Sequence, residues 1–173
     1  MNNSRDRFEL EANALSAHSS SCGCGQLAQI SIGVKFVDGD DAAEKVIDIL
    51  KCVSANRRGE KLDEAGLERS LPSWFVNACQ TETRADETIA SVEQSRRLSP
   101  LDRVADAAEM KWSLADWLYC MSPEQRDWTW AGIRREGPET WRINVCITEW
   151  PYAIGSLLWL LRVVGAIGID VDE

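Results

Sequence analysis

Apolar and polar positions alternate strictly from Trp141 to Thr148. Trp141, Ile143, Val145 and Ile147 fall on one side, and Arg142, Asn144, Cys146 and Thr148 on the other. A period of two built from β-branched and aromatic residues predicts a half-buried strand. The same alternation runs from Leu27 to Val37, where Ala28, Ile30, Ile32, Val34 and Phe36 face one way and Gln29, Ser31, Gly33 and Lys35 the other. Trp128 to Arg135 reads as a further strand, turned back by Glu136-Gly137-Pro138-Glu139 into a hairpin with the strand at Trp141.

After each of the two alternating strands the period becomes helical. Asp38-Gly39-Asp40-Asp41 predicts a turn that becomes a helix cap, with acids beside the positive end of the helix dipole. Ala43, Val46, Ile47, Leu50 and Val53 then form the apolar stripe of a helix running to about Asn56. From Tyr152 to Val164 the stripe is Ile154, Leu157, Leu158, Leu161 and Val164, and Trp159, Leu160 and Val163 carry it around the cylinder. A helix this apolar needs cover on more than one side. Pro151 suits its start and Gly165 its left-handed stop. Ile167, Ile169 and Val171 alternate with Gly168, Asp170 and Asp172 as a last edge strand with acidic outward residues. The apolar helix is shorter than the roughly 20 residues a spanning helix needs and contains Arg162, so no membrane association is expected.

Arg57 to Asp127 reads as a helical insert. Leu62, Ala65 and Leu71 suggest one short helix, and Pro72 begins another in which Trp74 and Phe75 look exposed. Thr81 to Leu98 and the segment from Ser99-Pro100 are helix-compatible. Ser113 can cap a further helix, with Asp116 reaching back to it and Trp112 stapled onto Trp117. The order β-α-insert-β-β-α-β resembles the ferredoxin-like arrangement. The expectation is therefore an α+β, βαββαβ fold: a four-stranded antiparallel sheet with two helices on one face and a helical insertion (about 57–127) between the first helix and the second strand. Ile32 and Val145 should then be near-neighbours on parallel central strands. Residues 1–25 are polar and small and read as a flexible arm, leaving 26–173 as a single domain.

At 173 residues and 45% hydrophobic the chain can build a full core, and its eight tryptophans read as part of that core before they read as a binding patch. The net charge of −9 repels nucleic acid and anionic membranes and would steer a basic partner. The first residues carry no apolar leader segment, so a cytoplasmic setting is expected, with Cys52, Cys120 and Cys146 as buried free thiols.

Chemistry is sparse. The chain has one histidine, no Gly-rich phosphate loop and no nucleophile elbow, so no catalytic residue and no cofactor is assigned and the reading leans away from an enzyme. His18, Cys22 and Cys24 lack the second pair of a zinc site, and a thiol or metal module there is a minor alternative. Two surfaces remain. Asp38, Asp40, Asp41 and Glu44, which fall short of a calcium loop, gather at a helix entrance and suit a basic protein partner such as a toxin or nuclease. The expected role is a stoichiometric inhibitor or immunity-type antidote. The alternative is a small enzyme or ligand-binding domain that uses Gln29, Ser31, Lys35, Arg142, Asn144 and Cys146 on the outer sheet face. That face lacks the stacking aromatics of RNA-binding sheets.

Overall fold

A computed structural model describes residues 3–17, 27–58, 61–79, 112–148 and 153–172. Its elements are α1 (Asn3–Ala17), β1 (Ala28–Phe36), α2 (Gly39–Ala55), β2 (Arg57–Arg58), β3 (Lys61–Leu62), α3 (Glu64–Ser70), α4 (Ser73–Ala78), α5 (Leu114–Met121), β4 (Trp128–Arg135), β5 (Thr140–Ile147), α6 (Gly155–Val163) and β6 (Ala166–Asp172). The fold is mixed α+β: a four-stranded antiparallel sheet in the order β4-β5-β1-β6, with six helices among the described residues.

The two alternating strands are the central pair. Ile30, Ile32 and Val34 of β1 and Ile143, Val145 and Ile147 of β5 are all buried, on one sheet face. Their direction corrects the expectation. Ile30 faces Val145 and Ile32 faces Ile143, so the strands are adjacent but antiparallel. The reason is a count of reversals: β4 runs parallel to β1 and the hairpin at 136–139 turns the chain once more before β5. In the hairpin, Glu136 and Gly137 donate their N–H groups to the Thr140 carbonyl. Gly165 ends α6 at φ 106°, a left-handed conformation that a residue without a Cβ adopts freely.

The apolar helix α6 is buried from Ser156 through Leu161. Its cover comes from the insert. Phe75 of α4 is fully buried, not exposed as its position after a proline suggested. Its ring lies edge-on to Trp117 at 4.7 Å and to Trp159 at 5.7 Å. Trp117 donates its indole N–H to the Ser156 carbonyl at 3.1 Å, tying α5 to the first turn of α6. Ser113 caps α5 as expected, accepting the Asp116 N–H at 3.0 Å, and Trp112 rests 6.5 Å from Trp159. The insert is not wholly helical, because β2 and β3 pair as a short ribbon before α3. The helix-compatible run 81–98 and the segment from Ser99 lie outside the described residues.

A larger correction concerns the N-terminus. Residues expected to form a flexible arm instead form α1, and Phe8, Ala14 and Leu15 enter the core. Glu11 sits on the same face and is 3% exposed, which only a partner makes tolerable. Arg126 supplies it, with Nη2 2.5 Å from Glu11 Oε2. The other carboxylate oxygen accepts the Trp130 N–H at 2.9 Å. The Arg126 guanidinium lies between the rings of Phe8 and Trp128, at 4.9 Å and 4.8 Å. One carboxylate thus neutralises a buried cation and satisfies a donor on the edge strand β4.

Glu11→Ala would take from the buried Arg126 the carboxylate it pairs with, a loss of about 3–5 kcal/mol against a usual total of about 5–15. Replacing both partners, Glu11→Leu with Arg126→Met, should be less damaging than Glu11→Ala, retaining a deficit of about 1–3 kcal/mol from the orphaned Trp130 N–H. Urea melts of the three proteins test this. A Glu11→Ala midpoint equal to that of the parent would show that α1 is not docked.

Candidate functional site

The entrance of α2 is held against the sheet by a close backbone approach. A Cβ added at Gly39 would lie 2.2 Å from the Trp141 indole nitrogen, so only glycine lets the first turn of α2 rest on that ring. Arg135 stacks over the same indole at 5.8 Å. The Phe36 N–H donates to the Glu139 carbonyl at 3.0 Å, fixing the hairpin turn beside the strand that feeds α2. The acids expected to form a site therefore stand on an ordered platform.

Asp38, Asp40, Asp41 and Glu44 are all exposed. Asp38 caps α2, its carboxylate accepting the Asp41 N–H at 3.5 Å. Asp40 pairs with Arg135 at 3.3 Å, and Asp41 with Lys45 at 2.5 Å, one turn along the helix. Lys35 and Glu139 form another pair nearby at 3.2 Å. The charge here is thus partly balanced within the molecule. Among the described residues Glu44 has no basic partner, and neither does Asp48, exposed one turn further along. Asp41, Glu44 and Asp48 stand at i, i+3 and i+7 and so share one ridge of α2. Asp48 was missed by a reading that stopped at the cap, although its spacing from Glu44 was the available signal. Asp170 and Asp172 lie elsewhere. Asp172 is level with Ser31, five residues along β1 from Phe36, or about 16 Å from the α2 end of the sheet.

The outer sheet face gathers Ser31, Lys35, Arg142 and Asn144 as the alternation implied, with Gln29 and Cys146 opposite each other at its far end. These groups are occupied with one another. Ser31 donates to Asn144 Oδ1 at 2.8 Å. Arg142 pairs with Asp172 and, at 3.0 Å, with Glu136. Hydrogen bonds to Asp172 and Glu136 hold its guanidinium above the ordinary arginine value. A surface that satisfies its own polar groups offers little to orient a ligand.

Cys146 corrects a further expectation. It is disulfide-bonded, whereas Cys52, Cys79 and Cys120 are free. Its burial is as expected, at 6% exposed, and its register beside Gln29 and Thr129 puts it on the sheet face opposite Ile32 and Val145, as the alternation implied; the correction is that the thiol is not free. Cys22 and Cys24, with His18 the metal candidates, lie outside the described residues. No group of metal-ligating side chains occurs among the described residues, and no helix among them is long and apolar enough to cross a membrane. No family model, no curated protein and no solved structure matches the chain.

Burial raises the Cys79 thiol to about 11, and burial aided by the Asp116 carboxylate raises Cys120 to about 11. At pH 8 such a thiol is ionised in about one molecule per thousand, against about a quarter for an ordinary cysteine, so alkylation at both should run roughly a hundredfold slower than in urea. Cys146 should take label only after reduction. Peptide mapping of iodoacetamide-treated protein reads all three, and rapid labelling of Cys146 in unreduced protein would remove the disulfide.

Proposed function

We propose that this chain is an acidic protein-binding module, a stoichiometric inhibitor or immunity-type antidote that masks a basic partner such as a toxin or nuclease through the entrance and exposed ridge of α2. The observation that carries the reading is the ridge itself: Asp41, Glu44 and Asp48 exposed in line on a helix whose start is fixed against Trp141. A basic surface meeting it would lose little ordering entropy, and the net charge of −9 would steer the approach. The internal satisfaction of the outer sheet face removes support from the competing ligand-binding reading. We read the domain as ferredoxin-like with an insertion, a reading supported by β1 and β5 in the centre, β4 and β6 at the edges, and α2 and α6 each following a central strand. A cytoplasmic setting carries a condition, because most cytosols keep thiols reduced and Cys146 would there be a thiol.

A partner recovered by affinity capture and identified by mass spectrometry allows the test. Reversing Asp40, Asp41 and Glu44 to lysine should slow association about tenfold or more at low salt and flatten its dependence on ionic strength. Melting should fall only modestly, since favourable charges near a helix start contribute about 0.3–1 kcal/mol each. Unaltered association rates would reject this site. A partner that is acidic or a small molecule would reject the function.

A further inference from the structure

We propose that the free edge of β6 receives an extended segment of a partner protein as a fifth strand, the segment alternating basic with apolar residues. The two edges of the sheet are treated differently. On β4, Glu11 takes the Trp130 N–H, and the strand is bulged between Trp130 and Gly132, with Gly132 at φ 146°. On β6, the backbone ladder is to β1 alone. Beyond it, the hydrogen bonds that reach the strand are those from Arg162 to the Ala166 carbonyl and from Arg142 to the Asp172 carboxylate. Among the described residues, nothing pairs with the other backbone groups along its outer side.

Exposed edges are usually guarded by proline, charged side chains, a bulge or a charge turned inward. On β6 the bulge is confined to its start, with Ile167 the extra residue between the Phe36–Ala166 and Lys35–Gly168 pairs. From Gly168 to Asp172 the guards are the outward Asp170 and Asp172, which repel an acidic segment but not a basic one. The strand also carries apolar surface. Ile167 is 57% exposed at the bulge, and Ile169 and Val171 are partly exposed, on the same side as the buried Val34 and Ile32 that they face. Side chains of an added strand would lie beside Ile169 and Val171 on the helix side, which selects valine, isoleucine or leucine. On the other side they would lie beside Asp170, which selects lysine or arginine, and beside Asp172, which Arg142 already pairs. A second copy of this chain fits less well: its own β6 contains no basic residue, and each copy brings a net charge of −9. The inference does not depend on α2 being a binding site.

The test uses the full chain and a capped heptapeptide of alternating lysine and valine, with a block-ordered peptide of the same composition as control. Hydrogen–deuterium exchange of β6 amides should slow at least tenfold with the alternating peptide and not with the control. Asp170→Lys, at an exposed position, should keep its melting temperature, weaken binding at least tenfold and favour an alternating glutamate–valine peptide instead. Protection confined to α2, or equal binding of both lysine peptides, would overturn the proposal in favour of unspecific charge attraction. Protection of β6 that grows with protein concentration in the absence of peptide would overturn it in favour of self-pairing.

Discussion

Helix α6 is apolar around nearly its whole circumference, and that constraint arranges the rest of the molecule. A helix laid on a sheet hides one stripe; Leu157, Leu158, Trp159, Leu160 and Leu161 cannot all be hidden that way. The insert supplies the second cover, with Phe75 between Trp117 and Trp159, and the indole N–H of Trp117 on the Ser156 carbonyl. Each buried aromatic of this size removes about 150–250 Å² from water, so the cluster is a large share of the core. Because these parts of the insert are used behind the helices, they leave the outer sheet face alone. That face then meets its hydrogen-bonding needs through Ser31, Asn144, Arg142 and Asp172.

The second constraint is the sheet edge beside α1. Burying Glu11 and Arg126 together costs desolvation that offsets much of their attraction, so the pair is weak support for stability as such. Its effect is specificity. A carboxylate that must meet both Arg126 and the Trp130 N–H admits one docking of α1 on β4. Edge pairing at Trp130 is thereby closed, and the asymmetry between the two edges follows. Among the described residues, the edge that ends at Asp172 has no comparable cover.

These arrangements were unequally legible in the amino-acid sequence. Strands β1, β4 and β5 and helices α2 and α6 were plain because their apolar residues repeat at the period of the element itself. The stripe of α1, by contrast, is Phe8, Glu11 and Leu15, with an acid at its centre. Such a stripe looks broken until Arg126 is known to face it, 115 residues away. Strand direction failed for a topological reason, since local periodicity says which face a residue takes but not how many times the chain has reversed. Phe75 failed in exposure and Cys146 in bonding. A short helix after Pro72 gave too few positions to define a buried side, and the alternation that set Cys146 on the outer face says nothing of a disulfide. At the candidate site the acids were legible as a cluster. Their pairing with Arg135 and Lys45 was half so: Lys45 is one turn from Asp41, but Arg135 arrives from a distant strand.

That pairing bears on how the acidic surface can act. Exposed ion pairs such as Asp40–Arg135 and Asp41–Lys45 contribute roughly 0–1 kcal/mol each, so an incoming cation can displace them at small cost. The pairs therefore do not close the site, but they do lower the local potential before contact. Steering at long range must come from the charge of the whole molecule, −9, and would fall steeply with salt. In the proposed binding role, discrimination at short range would fall to Glu44 and Asp48, which have no basic partner among the described residues, on a helix that Gly39 and Trp141 keep in place. If the surface binds as proposed, it would favour a partner whose basic groups are spaced to the helical ridge over one that is merely cationic.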